Sequence, residues 1–322
     1  MRRLGLALVL VLALVAGGAW LALSQLGEAT IEEDTAFIIP SGASVSAVAD
    51  RLEAEGLVSS ADGFVLRAKL FGSPDPVQAG EFRLSAGMSQ SEMLARFQSG
   101  DVIRRFVTVP EGMPSIMVWE RLMAQDLLTG EIDVPAEGSI LPDTYSFERG
   151  QSRAELVERM QAAMDRYLAE AWSERDEDDI AVDTMREALI LASVVEKETG
   201  KPSERRMVAG LYSNRLEQGM MLQADPTIIY PITQGKPLGR RIRRSEIDAV
   251  NDYNTYTRVG LPGGPITNPG RESIAAALDP ADTSALYMVA DGTGGHVFAD
   301  TLEEHNANVA EWYALRRERG EM

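Results

Sequence analysis

Cysteine is absent from this chain of 322 residues, and histidine occurs only at positions 296 and 305. Without cysteine the chain has no disulfide framework, no thiolate nucleophile and no thiolate metal ligand. Structural zinc sites are built mainly from cysteine and histidine, so the composition argues strongly against that class of site, and a mixed site of histidine and carboxylates is disfavoured. We predict that the protein uses neither a metal nor another cofactor.

Basic residues are also scarce. The chain has 31 Lys and Arg against 49 Asp and Glu, which gives a net charge of −18. Proteins hold nucleic acid mainly through Lys and Arg, so nucleic acid is excluded as a partner. One basic cluster is visible, and we interpret it as a solvated turn or a helix start: Arg240, Arg241, Arg243 and Arg244.

The chain begins with its longest apolar run, MRRLGLALVLVLALVAGGAWLALSQL. Roughly 22 uncharged residues in a helix are long enough to span a bilayer core of about 30 Å. We therefore predict a single transmembrane anchor within residues 1–26. Arg2 and Arg3 before it predict a cytoplasmic N-terminus, with the remaining chain on the outer, periplasmic side of the inner (plasma) membrane. The alternative is a cleaved signal peptide, whose apolar region is usually shorter, about 7–15 residues.

An internal repeat organises the first half of the remaining chain. The segment FIIPSGASVSAVADRLEAEGLV, from Phe37, aligns without a gap with FVTVPEGMPSIMVWERLMAQDLL, from Phe106. Each copy reads as a strand, a Pro-x-Gly turn and a helix. Each is followed by a short strand and a Ser-x-x-Glu capping box, at Ser89 and at Ser152. We predict an α+β fold, with a mixed α/β domain that includes the second copy.

The stretch LASVVEKETG, residues 191–200, carries two glutamates at the end of an apolar run. Thr184 and Glu187 form a capping box, and Gly200 with Pro202 supplies a stop, so we predict a helix from Thr184 to Thr199. Both Glu196 and Glu198 lie in its last turn, but they point about 160° apart. We expect Glu196 to point toward solvent or a basic partner.

Glu198 shares the more apolar side of this helix with Leu191, Val194 and Val195. Desolvation and the free carbonyls of a helix C-terminus both raise the pKa of a carboxyl group. A carboxyl that stays protonated near neutral pH can act as a general acid toward a glycosidic oxygen. The alternative is a surface glutamate that pairs with a neighbouring Lys or Arg.

Three later segments are dense in Gly, Pro, Asn, Tyr and Thr, as suits a carbohydrate groove: 214–230, 253–270 and 289–306. Together with VVEKETG, in this order, they resemble the YceG-like family of membrane-anchored endolytic murein transglycosylases. The resemblance covers nearly the whole chain. It implies a LysM-like module at 35–105 and a catalytic domain at 106–322, in which 106–172 contains the second repeat copy.

The resemblance also implies the chemistry. The family's catalytic glutamate lies in the EKET motif, and we assign it to Glu198, with Glu196 as the runner-up. One carboxyl is enough to protonate the leaving oxygen and then to accept the proton of the attacking 6-hydroxyl of muramic acid, which leaves a 1,6-anhydro end. The substrate is then the peptidoglycan glycan strand, and cell-wall synthesis proteins are candidate partners. The residues predicted to bind the glycan are Gln223, Asp225, Asn254, Tyr256 and Thr257.

Two alternatives stay open at this point. If Asp225 supplies a second carboxylate, the enzyme is a muramidase that hydrolyses the bond. If Glu198 is sealed in the core, the chain is a non-catalytic glycan-binding scaffold.

Overall fold

The computed structural model describes residues 2–25, 31–176 and 180–321. The chain forms two compact units, Met1–Arg105 and Phe106–Met322. We describe each unit by itself. That the first unit is a LysM-like module stays a prediction.

The first unit contains four helices and two strands among its described residues: α1 (Arg2–Gln25), β1 (Thr35–Ile39), α2 (Val45–Ala54), α3 (Ala61–Phe71), β2 (Gly80–Leu84) and α4 (Gln90–Ser99). β1 and β2 pair antiparallel, with Phe37 opposite Phe82. Both rings are buried and pack against Phe97 of α4, at centroid distances of 5.7 and 5.1 Å. An aromatic cluster is therefore the centre of this unit's core.

Within the described ranges, no helix combines the length and the apolar composition that a membrane span requires. The anchor predicted for residues 1–26 is thus not confirmed, and its ends, Met1 and Leu26, lie outside the described residues.

The second unit continues the alternation of strand and helix and then becomes mainly helical. Its elements are β3 (Arg105–Val109), α5 (Ser115–Met123), β4 (Asp143–Phe147), α6 (Arg153–Glu174), α7 (Met185–Glu198), a 3-10 helix (Pro202–Glu204), α8 (Arg205–Glu217), α9 (Asp225–Thr233), α10 (Arg244–Ile247), α11 (Arg271–Leu278), β5 (Tyr287–Ala290), β6 (His296–Ala299) and α12 (Leu302–Glu318). β3 pairs with β4, and β5 pairs with β6 in an antiparallel hairpin. Helices and sheets therefore occur together in a mixed α+β fold.

The same hydrogen bond recurs in four strand–helix pairs. In each, an arginine of the helix donates a hydrogen bond to the backbone carbonyl thirteen residues earlier, in the preceding strand. The bonds join Arg51 to Ile38, Arg96 to Arg83, Arg121 to Thr108, and Arg159 to Ser146. A single strand–helix pair is therefore the smallest repeated element.

The two predicted capping boxes of the repeat differ in the structure. Ser89 and Glu92 form the reciprocal pair at the start of α4. The box predicted for Ser152 and Glu155 is wrong, because the Ser152 hydroxyl accepts from the amide of Ala154. The first turn of α6 is instead fixed by Arg153, whose guanidinium donates to the carbonyls of Leu122 and Gly130.

α7 is the central helix of the second unit. Thr184 caps it by accepting from the amide of Glu187, and Thr199 ends it, close to the predicted bounds. Residues on nearly every side of the helix are buried: Ala188, Ile190, Leu191, Ala192, Ser193, Val194 and Val195. α7 packs against α6, α8, α9 and α11. These contacts fix the position of its C-terminal end.

Candidate active site

Glu198, the last residue of α7, lines a cleft of about 370 Å³ in the second unit. Three other predicted residues line the same cleft: Gln223, Asp225 and Tyr256. The remaining walls come from α8, the loop that follows it, the β5–β6 hairpin and α12: Leu211, Tyr212, Arg215, Leu222, Tyr287, Met288, Val289, Ala290, His296, Leu302 and His305. Gln223 and Asp225 are exposed, so the cleft opens to solvent.

The environment of Glu198 favours its protonated form. Burial is the main cause, the negative charge of Asp225 is the second, and together they raise the pKa of Glu198 to about 7. A hydrogen bond from Tyr212 and the charge of Arg215 act in the opposite direction but are smaller effects. Glu198 Oε1 is buried and has no hydrogen-bond partner among the described residues. A carboxyl in this state can deliver a proton near neutral pH and take one back.

α8 supplies two cleft residues that sequence reasoning missed. Tyr212 is almost completely buried and its hydroxyl hydrogen-bonds to Glu198. Arg215, one turn later on the same face, donates to the carbonyls of Leu286 and Leu222, at 2.6 and 2.7 Å. Their three-residue spacing on a helix was the available signal, because it places both side chains on one face.

Asp225 and Tyr256 form a pair at the cleft wall. The Tyr256 hydroxyl donates to Asp225 Oδ1 at 2.6 Å, which fixes the carboxylate at the first residue of α9. Gln223 lies beside them with a left-handed backbone, φ 52°. Its backbone N–H donates to the carbonyl of Thr255 at 3.0 Å. Three polar side chains from two segments of the chain therefore converge near Glu198.

Two predicted glycan-binding residues do not line this cleft. Asn254 is completely buried, and its side-chain amide donates to the carbonyls of Ile247 and Ala249 at 2.9 and 2.7 Å. The hydroxyl of Thr257 donates to the carbonyl of Asn254 at 3.2 Å. Both side chains hold their own loop together. The loop thus positions Tyr256, while these two residues have no group directed at a ligand there.

Glu196 does not point toward solvent or a basic partner, as its place on the helix had suggested. Its Oε2 accepts from the amide of Gly270 at 3.0 Å and from the hydroxyl of Ser273 at 2.7 Å. It therefore connects α7 to the N-terminal end of α11. Burial raises the pKa of Glu196 as well. The expectation failed because α11 covers this side of α7, which the sequence of α7 cannot show.

Comparison with known proteins identifies the family. The model of the YceG-like family matches residues 37–311 of the chain. The chain belongs to the YceG-like family. Its similarity to curated proteins extends over most of its length. It is 28% identical to the endolytic murein transglycosylase of Bacillus subtilis (strain 168), over 95% of this chain and 93% of that protein.

The chain is similar to two further proteins over most of its length. The chain is 31% identical, over 85% of its length, to the endolytic murein transglycosylase of Streptococcus pneumoniae serotype 2, of which it covers 57%. It is also similar to the crystal structure of a yceG-like protein of Listeria monocytogenes, with a TM-score of 0.53 and 27% identity. That similarity covers 86% of this chain and 99% of the Listeria chain.

Proposed function

We propose that this protein is an endolytic lytic transglycosylase that cuts peptidoglycan glycan strands internally, with Glu198 as its general acid and base. The observation that carries the proposal is the position of Glu198 on an open cleft, with a pKa raised to about 7 by burial and by Asp225. The family and the names of the relatives support the same reaction. Glu196 is the weaker candidate because both its contacts are structural.

The reaction needs one proton donor that becomes an acceptor. Protonated Glu198 gives its proton to the glycosidic oxygen while the bond between that oxygen and the anomeric carbon of muramic acid breaks. The 6-hydroxyl of the same sugar then attacks the anomeric carbon and releases its proton to the Glu198 carboxylate. The enzyme returns to its starting state, and the new chain end is 1,6-anhydro-muramic acid.

Asp225 has an electrostatic role in this proposal. Its negative charge keeps the Glu198 proton in place before the reaction. The same charge stabilises positive charge that develops on the sugar ring as the bond breaks. Tyr256 fixes the Asp225 carboxylate through the 2.6 Å hydrogen bond.

Product analysis distinguishes this reaction from hydrolysis. We expect purified glycan strands treated with the full-length protein to end in 1,6-anhydro-muramic acid, one water lighter by mass spectrometry than a reducing end. Hydrolysis is the second candidate, because the cleft holds Asp225 as a second carboxylate. Reducing ends that incorporate oxygen from labelled water would establish hydrolysis instead and would contradict the lytic reaction. The absence of any cleavage would favour the glycan-binding scaffold.

We also propose that the protein acts at the outer side of the inner (plasma) membrane, where new strands are made. The support comes from the sequence of residues 1–26, in which two arginines precede an uncharged run. A LysM-like module at 35–105 would then hold the strand, and cell-wall synthesis proteins would be its neighbours.

Fractionation tests this location. We expect the full-length chain to sediment with membranes and to resist extraction at alkaline pH, because a spanning helix is removed only by detergent. A variant that begins at Asp34 is the control, and it should remain in the soluble fraction. Release of the full-length chain at alkaline pH would contradict the anchor.

A further inference from the structure

Glu204, at the end of the 3-10 helix that follows α7, joins the catalytic helix to the β5–β6 hairpin. Its Oε2 accepts from the Thr199 hydroxyl at 3.2 Å and lies 3.0 Å from His296 Nδ1. Its Oε1 accepts from the amide of His296 at 3.2 Å. One carboxylate therefore contacts both the residue that follows Glu198 and a wall of the cleft.

The surroundings show that this contact is built into the fold. The side chain of Glu204 is only 14% exposed, and that of His296 is 18% exposed. A Cβ atom at Gly295 would overlap Glu204 Oε1, so the hairpin approaches this closely only because residue 295 is glycine. Lys201 adds hydrogen bonds to Asp291 and Thr293, at 3.3 and 3.0 Å, which attach the hairpin turn to the same segment.

The hydrogen bonds around Glu204 favour its ionised form. Burial alone would raise the pKa of Glu204, but the hydrogen bonds from His296 and Thr199 outweigh it and hold the pKa below its usual value. The group is thus a carboxylate that can only accept. His296 Nδ1 must then carry a proton, and in the neutral ring Nε2 is left with a lone pair. Since His296 lines the cleft, Nε2 is the ring nitrogen available to a ligand.

We propose that His296 is a substrate-binding residue that accepts a hydrogen bond from a sugar hydroxyl through Nε2, and that Glu204 is its positioning residue, which fixes the ring and its Nδ1–H tautomer. The proposal rests on the proposed function for the identity of the ligand, a glycan strand. The placement of the proton on the ring can be measured without any substrate.

The first measurement is the tautomer itself, by ¹⁵N NMR of the full-length protein labelled at histidine. Only two histidines contribute, and a spectrum of the His305→Gln variant assigns the signals of His296. The tautomer is read at a pH high enough that the ring is neutral and the spectrum no longer changes as pH rises further. There we expect a protonated-type resonance at Nδ1 and an unprotonated-type resonance at Nε2. The reverse pattern would overturn the proposal, whatever the activity of the protein.

The second measurement uses Glu204→Gln. The amide of His296 can only donate, so the glutamine oxygen is expected to take the place of Oε1 and its NH₂ group to face Nδ1. The ring should therefore switch to the Nε2–H tautomer. We expect KM for glycan strands to rise about two- to tenfold, as for the loss of one hydrogen bond, with kcat less affected. Asp279→Asn, which removes an exposed ion pair with Arg206, is the matched control and should change neither quantity.

A double-mutant cycle separates positioning from general support of the fold. His296→Ala should raise KM by about the same factor, and Glu204→Gln should add little in that background because its effect passes through the ring. Fully additive effects on kcat/KM would overturn the positioning role. If the wild-type protein cuts no glycan, both the proposed function and the assignment of a glycan as the ligand of His296 are contradicted. The NMR measurement of the tautomer still decides whether Glu204 orients the ring.

Discussion

Replacing Glu198 by glutamine is expected to reduce cleavage by a factor of about 10²–10⁴ or more, as is usual when a general acid or base is removed. Glutamine keeps the size of the side chain and can still accept the hydrogen bond from Tyr212, so the cleft should be preserved. What is lost is the transferable proton. The measurement is the rate of release of glycan fragments from purified strands.

Glu196→Gln is the matched control because it makes the same chemical change two residues earlier. The backbone amide of Gly270 and the hydroxyl of Ser273 both donate hydrogen bonds to the same oxygen atom of Glu196. The glutamine oxygen can accept both of them. We expect activity within a few-fold of wild type. An active Glu198→Gln protein beside an inactive Glu196→Gln protein would transfer the catalytic role to Glu196.

The sequence was sufficient to predict features that depend on local patterns. The bounds of α7 follow from Thr184, Glu187 and the Gly200 stop, and the structure places the helix at Met185–Glu198. Family motifs identified a set of loop residues, of which Gln223, Asp225 and Tyr256 line one cleft with Glu198. These signals are short in sequence and need little knowledge of packing.

What failed depended on contacts between distant segments. Asn254 looked like a glycan ligand because amides bind sugars, but its donors are used by the carbonyls of Ile247 and Ala249. Glu196 looked exposed because the segment that covers it, Gly270 to Ser273, lies more than seventy residues away. Glu204 and His296 were missed for the same reason, since 92 residues separate them. A polar residue type predicts a function only once its partners in the fold are known.

The same Glu198→Gln substitution is expected to stabilise the folded protein at alkaline pH. In the folded state the pKa of Glu198 is about 7, against an ordinary value of 4.5 that applies when the chain is unfolded. The folded state therefore binds more protons between these two values, and its stability falls as pH rises through about 7. The full difference in pKa corresponds to up to about 3 kcal/mol in the free energy of unfolding.

Urea unfolding of both proteins at pH 5 and pH 8 measures this effect. At pH 5 wild-type Glu198 is protonated in the folded state, so the two proteins should differ little. At pH 8 the wild type must hold a buried carboxylate beside Asp225, and the glutamine variant should be the more stable by up to about 3 kcal/mol. Asp279→Asn, at an exposed ion pair, should show no such dependence on pH. A variant less stable than wild type at pH 8 would mean that the ionised Glu198 is well solvated, and a well-solvated carboxyl would not hold the proton that the proposed reaction needs.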